Sequence, residues 1–549
     1  MVYHLKRGER MRQARNFLFM AAAAVFLAAG CQAKQQDTPQ ASPQATSETA
    51  SEAASPAAPA KDTLVYAIDS DPSGEINPVT TGDRYGLMAE KLIYSPLYMY
   101  NGESNIAYFL AESVTAEQEG LVYTAKLRSG VKWTDGQPFT ADDVVFTYEA
   151  CENPDNGSES YDLLVNADGA VAIEKVDGQT IRFTFPAPNS SPMENLGSIF
   201  IMPKHIYEGV ADFANSEKNE LFVGTGPYKM AEFRPGSHMK FEANPDYFLG
   251  APKIPNIIFR VIPDPNTMLL ALQSGEIDAQ AIMPTDVAKV KDNPAISLYP
   301  YSENRVGYLA FNVRSEKCQN KELRQALVYS LNKKDIMEVN YVSDEYSYIA
   351  DSFLPRAATF YTSDLPDLSQ NLDKAKELAA KNNAADITFV LAYPTSNKAM
   401  EPQAIVIQQD AKAAGINIEL RPMEAAAFNE QLYTNMNPDF DLYMGGYIMT
   451  YDPNGYASLF VSDGAANYMG YNNARVDELF AQGGVEKDQA KRRAIYEELQ
   501  QVIVDDAAFV PLTENKRILA MNSNVGGVEE ASLIPIFNFE DMSKLYFKS

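Results

Sequence analysis

The feature that most constrains this chain is the length over which its strand-like and helix-like runs alternate. The pattern starts at Thr63 and continues close to the end of a 549-residue sequence. A single hydrophobic core stops growing near ~250–300 residues, so at least two lobes are expected. Strand-like runs lie at Thr63–Ile68, Val122–Leu127, Thr180–Phe185, Ile257–Ile262, Val306–Val313 and Ile387–Leu391. Helical periodicity marks Ala141–Cys151, Pro265–Ser274, Lys321–Ser330, Leu372–Lys381, Glu401–Ala414, Arg475–Gly483 and Asp488–Val504. Some helix starts carry their caps, Thr140 before Ala141-Asp142-Asp143 and Asn371 before Leu372. Interleaving of this kind predicts an α/β body with more than one sheet.

Upstream of Thr63 the composition changes twice. Lys6, Arg7, Arg10, Arg12 and Arg15 precede an apolar run from Phe17 to Ala29. That run falls short of the ~20 residues of a membrane span and suits a signal-peptide core. Met11 is an equally good start, since Arg12 and Arg15 still supply the basic end. The run closes on Leu27-Ala28-Ala29-Gly30-Cys31, which looks like a lipobox with alanine where leucine is preferred. Residues 1–30 are therefore read as a lipoprotein signal peptide. Cys31 becomes the lipid-modified first residue of the mature chain, attached to the membrane without a spanning helix. Residues 31–61 hold no aromatic residue and consist mostly of Ala, Ser, Thr, Pro, Gln and Glu. They read as a disordered tether with an end-to-end distance of roughly 30 Å.

The net charge is −27, and −31 once residues 1–30 are set aside. So acidic a chain argues against nucleic acid and against an electrostatic hold on membranes. With Cys31 lipidated, Cys151 and Cys318 either pair or stay buried as free thiols, and the sequence leaves both open. His4, His205 and His238 are too scattered for a metal site. There is no G-x-S-x-G, no nucleophile–base constellation and no phosphate-cradling glycine loop. No cofactor and no enzymatic activity are expected, which sets aside a secreted hydrolase.

Three stretches resemble one known family. Residues 123–150, YTAKLRSGVKWTDGQPFTADDVVFTYEA, form a strand–turn–helix unit around Asp135-Gly136. Residues 223–279 carry G-T-G-P-Y, N-P-x-Y and S-G-E-I-D in order, and residues 307–336 carry the R-Q-A-L helix. By these motifs the chain resembles solute-binding protein family 5, the large peptide-binding receptors of bacterial ABC importers. The resemblance implies a two-lobed, periplasmic-binding-protein-like (class II type) α/β fold with an additional third domain. Lobe I would comprise 62–96, 222–300 and 508–549, the extra domain 97–221, and lobe II 301–507. It further implies an extracytoplasmic monomer that passes a solute to the transmembrane subunits of a permease.

In relatives of this kind two loops meet the solute between the lobes. The first corresponds to Asp69–Pro78, with Ser73, Gly74 and Glu75 as contact candidates. The second corresponds to Gly445–Tyr456, with Gly446, Tyr447, Met449, Thr450, Tyr451, Asp452 and Tyr456. The resemblance puts an amine-binding carboxylate at Met449 or Thr450, and neither is acidic. Asp452 is the one substitute, with the opening of the Asp-Pro-Asn-Gly turn as its alternative role. An ammonium group buried without a partner is costly, so weak dependence on a free peptide amine is expected. An oligosaccharide, a modified amino acid or a sensor role are the alternatives to peptide import.

Overall fold

A computed structural model describes residues 61–100, 105–166, 168–187, 192–448 and 451–548. The signal, Cys31, the tether, Met449 and Thr450 lie outside the described residues.

Strand Thr63–Ile68 has the pattern TLVYAI, with its last three residues all buried. It pairs in parallel with Asn256–Val261 and touches Ala279–Ile282, so it is central and covered on both faces. Helix Arg84–Ile93 follows, capped by the Asp83 carboxylate, which accepts from the Tyr85 and Gly86 amides.

Among the described residues the main sheet has eleven strands, one of them the short Ser347–Ile349 beside Phe509–Asn522, and its order explains the two lobes. On one side lie Tyr228–Arg234, His238–Ala243, Asn256–Val261, Thr63–Ile68 and Ala279–Ile282; on the other lie Leu442–Ile448, Thr388–Pro394 and Asn417–Met423. Between them run two long antiparallel strands, Ile296–Phe311 and Phe509–Asn522, shared by both lobes. The chain thus crosses between lobes within strands rather than within loops. Expected boundaries at 300/301 and 507/508 fall inside the first of these strands and just before the second. The pairing itself breaks between Ser302 and Arg305, where Asn304 sits at φ 53°. A bulge there bends the ladder, and asparagine is among the few residues that enter the left-handed region readily. A hinge between the lobes would fall at this break.

Along Val306–Phe311 alternate residues feed two cores. Leu309 and Phe311 join Leu442, Met444 and helices Lys321–Ser330, Leu372–Lys381 and Met400–Ala413. Val306, Tyr308 and Ala310 join Tyr443 and helices Ala474–Val485 and Gln489–Asp506 on the opposite face.

A third core belongs to a four-stranded antiparallel sheet, Ala111–Glu117, Val122–Leu127, Thr180–Thr184 and Ala172–Asp177. Helix Ala141–Glu152 packs on it, held at its start by a capping box between Thr140 and Asp143. Trp133 lies in this core at 2% exposure, a packing residue. Cys151 is buried here and Cys318 in a lobe II core, so both are free thiols. Burial pushes each thiol up to about 12.

Candidate functional site

Between the lobes, against the hinge strands, lies a cavity of about 380 Å³. Lobe I contributes Asp69 at the end of the first strand, Met268 and Gln280–Pro284; lobe II contributes Tyr341, Asn397, Met400, Gln403 and Gly445. Glu303, Arg305, Gly307, Thr513, Asn515 and Arg517 of the crossing strands form the back. A larger hollow of about 580 Å³ is lined by lobe II residues from the 328–370 and 504–507 regions and by Phe509–Pro511 at the start of the shared strand. The smaller cavity is the one that both lobes line, and it is the candidate site.

Its back wall is charged. Glu303 meets Arg84 at 2.7 Å, as an ion pair off hydrogen-bond alignment, and Arg517 at 3.6 Å. Glycines leave the lobe II side of the hinge open. Gly307 pairs with Gly446 across the two strands. A Cβ at Gly446 would lie 2.9 Å from the Arg305 guanidinium, and one at Gly445 would land on the Tyr308 ring. Arg305 and Tyr308, on opposite faces of their strand, each occupy space that a side chain on the neighbouring glycine would need.

The lobes touch on both sides of this cavity. Helix Lys333–Tyr341 of lobe II packs against the turn Pro284–Asp286 of lobe I. On the other side the Tyr451 amide donates to Glu194 Oε1 at 3.1 Å, joining the third domain to the lobe II loop. The Tyr451 hydroxyl reaches the Asn304 side chain at the hinge.

Burial pushes the Glu194 carboxyl from 4.5 up to about 7; the Tyr451 and Asp452 amides favour its charged form, while the Asp452 charge opposes it. Where lobe closure is what buries Glu194 against the Tyr451 loop, closing takes up a proton. This contribution to closure is fully present below pH 4.5 and is lost as pH rises through about 7. Scattering of the ligand-free protein should show a compact fraction that shrinks across that window. In Glu194→Gln that component should be missing; an unchanged profile would refute the role given to Glu194.

The predicted contact residues separate. Ser73, Gly74 and Glu75 are exposed, and Ser73 donates from its amide and hydroxyl to Asp83 Oδ2, fastening the loop to the helix cap. A Cβ at Gly74 would meet nothing within 4 Å. Of this loop it is Asp69 that lines the cavity. Gly446 borders the cavity through Arg305. The Tyr447 hydroxyl donates to the Phe353 carbonyl at 2.7 Å, and its ring stacks on Phe509.

Tyr456 is fully buried against Phe353 and Tyr447, a core residue of lobe II. Asp452 caps the turn through the Asn454 amide and pairs with Arg492 at 2.8 Å. Its carboxylate is thus engaged on the lobe II side. Sequence reasoning missed Glu194, Arg305 and Glu303, whose roles come from chain crossings that no local pattern encodes. Gly307, the first residue of the 307–336 stretch, is the one available signal.

A sequence model of the bacterial extracellular solute-binding proteins, family 5 (middle region), matches residues 105–468. The oligopeptide-binding protein AppA of Bacillus subtilis is 30% identical over 479 residues, 82% of this chain and 86% of that protein. The solved structure of the ABC transporter substrate-binding protein CtaP of Listeria monocytogenes has a TM-score of 0.85. Its identity is 36% over 89% of this chain and 100% of that one. Bacillus subtilis AppA, solved in complex with a nonapeptide, has a TM-score of 0.74 at 28% identity, covering 89% of this chain and 99% of that one.

Proposed function

The chain belongs to family 5 of the bacterial extracellular solute-binding proteins, and from that premise we propose that it captures short oligopeptides between its lobes and delivers them to an ABC import permease. The observation that carries this reading is the cavity shared by both lobes over a strand hinge. At about 380 Å³ it lies at the small end of ligand sites, which run to about 1,000 Å³. The lining is mostly apolar apart from its charged back, with Asn397, Thr513 and Asn515 as neutral polar groups that could meet peptide backbone. Relatives named for oligopeptides and for dipeptides support the solute class. Native mass spectrometry of freshly purified protein tests it: retained species should fragment as peptides, and a retained sugar would contradict the reading.

The protein works as a monomer tethered by lipid at Cys31. The lipobox-like Leu27–Cys31 and the polar tract after it support this. Among the described residues no helix is long and apolar enough to cross a membrane. Cys31→Ser should move the protein from the membrane to the soluble fraction with its melting temperature unchanged. Membrane retention at the wild-type level would refute the anchor.

A further inference from the structure

Only some of the charges that line the cleft are matched by opposite charges. Glu303 and Arg517 are held in the ion cluster with Arg84. Asp286 pairs with Lys289 at 2.7 Å, and Lys516 donates to the Glu345 carbonyl at 2.9 Å and lies over the Tyr348 ring. Asp69 sits beside the Tyr85 hydroxyl. Arg305 shares with Lys516 the lack of a carboxylate at ion-pair distance among the described residues, but unlike Lys516 it has no backbone carbonyl or ring against it, although it is half-buried in the cavity wall. Its guanidinium presents five donors in a fixed fork, which matches an anion that can accept two parallel bonds.

A second observation in the same cavity points the same way. Gln280, 2% exposed on the lobe I wall, has an Nε2 group with no hydrogen-bond partner. Buried donors are rarely left unpaired in native proteins. Donors without a protein acceptor thus lie on both lobes of the closed cleft, and Asp69 is the one lining acid outside an ion pair among the described residues. A surface arginine needs no partner, but this one lies against Gly446, whose lack of a side chain is what admits the guanidinium.

We infer that Arg305 is a specificity residue that binds a carboxylate of the captured solute, with Gln280 donating to the same group from the opposite lobe. This rests on the peptide reading above. The carboxylate comes from a peptide C-terminus or from an acidic side chain, and the two are chemically alike at this position. A ligand anion here also links the lobes, since Arg305 lies on the lobe II side of the hinge break and Gln280 belongs to lobe I.

Calorimetry with three probe sets distinguishes the outcomes: tripeptides of neutral side chains with a free C-terminus, the same tripeptides amidated, and amidated tripeptides carrying one glutamate. Wild type should bind the free form roughly tenfold or more tighter than the neutral amide, the scale expected for a buried charge pair. Recovery of affinity by the glutamate form would assign the carboxylate to a side chain, and its absence to the C-terminus; both support the inference. Arg305→Gln should bind the free and amidated forms alike, with an unchanged melting temperature, and Arg305→Lys should recover part of the discrimination. Equal binding of all three sets to wild type would overturn the role of Arg305 and leave peptide capture standing, as would full discrimination retained by Arg305→Gln. Binding of none of the sets would overturn the peptide reading, and this assignment with it.

Discussion

Gly224→Ala should destabilise the protein by about 3 kcal/mol or more, or prevent it from accumulating folded, although residue 224 touches no candidate ligand site. The reason lies in the G-T-G-P-Y run. A Cβ on Gly224 would fall on the carbonyl oxygen of Ile93, and one on Gly226 would meet the same carbonyl and that of Leu92. The Gly226 amide donates to Ile93 O at 2.8 Å, and Thr134 N donates to Gly224 O at 2.9 Å. Both sides of the contact are backbone, so no rotamer relieves it. The motif is a junction where the chain leaving the third domain passes the end of helix Arg84–Ile93. Gly178→Ala is the matched control: its Cβ would meet nothing within 4 Å, and a change within about 0.5 kcal/mol is expected. Urea denaturation of the two variants reads the difference, and equal stability would refute the junction.

The second large effect is expected at Arg492. Its guanidinium, 6% exposed, pairs with Asp452 and also donates to the Gly483 carbonyl at 2.9 Å. The rings of Phe360 and Tyr496 lie 5.3 and 5.2 Å from it. Arg492→Met leaves the Asp452 carboxylate buried without its cation, which costs about 3–5 kcal/mol for pairs of this kind. Arg492→Met combined with Asp452→Asn should recover much of that loss, because no charge is then left uncompensated. A loss below about 1 kcal/mol in the single variant would mean that Asp452 is free to turn toward the cleft.

Much of the fold was legible where local and tertiary signals agree. Thr63–Ile68, Pro265–Ser274, Lys321–Ser330 and Leu372–Lys381 were each expected at the bounds the structure has. Those three helices start on side-chain caps from Asp264, Asn320 and Asn371, and the strand is buried along most of its length. The crossing strands were not legible in full. Only Val306–Val313 stood out of Ile296–Phe311, and Phe509–Asn522 was missed. Around the crossing they carry Glu303-Asn304-Arg305 and Glu514-Asn515-Lys516-Arg517, with Pro300 and Pro511 nearby. These residues lie at the hinge and cleft instead of an apolar core, so the alternation that betrays a strand is lost.

The site was legible as a region and not as residues. The loop after the first strand does reach the cavity, through Asp69 rather than Ser73. Tyr447 and Tyr456 belong to an aromatic-rich turn, and from sequence such a turn reads equally as a ligand platform or as core. Packing against Phe353 and Phe509 decides for the core. Glu194 and Arg305 gain their meaning from contacts between lobes, Glu194 with the Tyr451 loop more than two hundred positions away and Arg305 across the cleft from Gln280.

The central claim is capture by closure of the lobes on a short peptide. Small-angle scattering through a titration with neutral tripeptides, read beside the melting temperature, tests it most directly. At a hundredfold excess over Kd the gain in stability should be about 2.7 kcal/mol, and the radius of gyration should fall over the same concentration range. Binding with no fall in radius from an open ligand-free state, or a radius that falls without any gain in stability, would contradict capture by lobe closure.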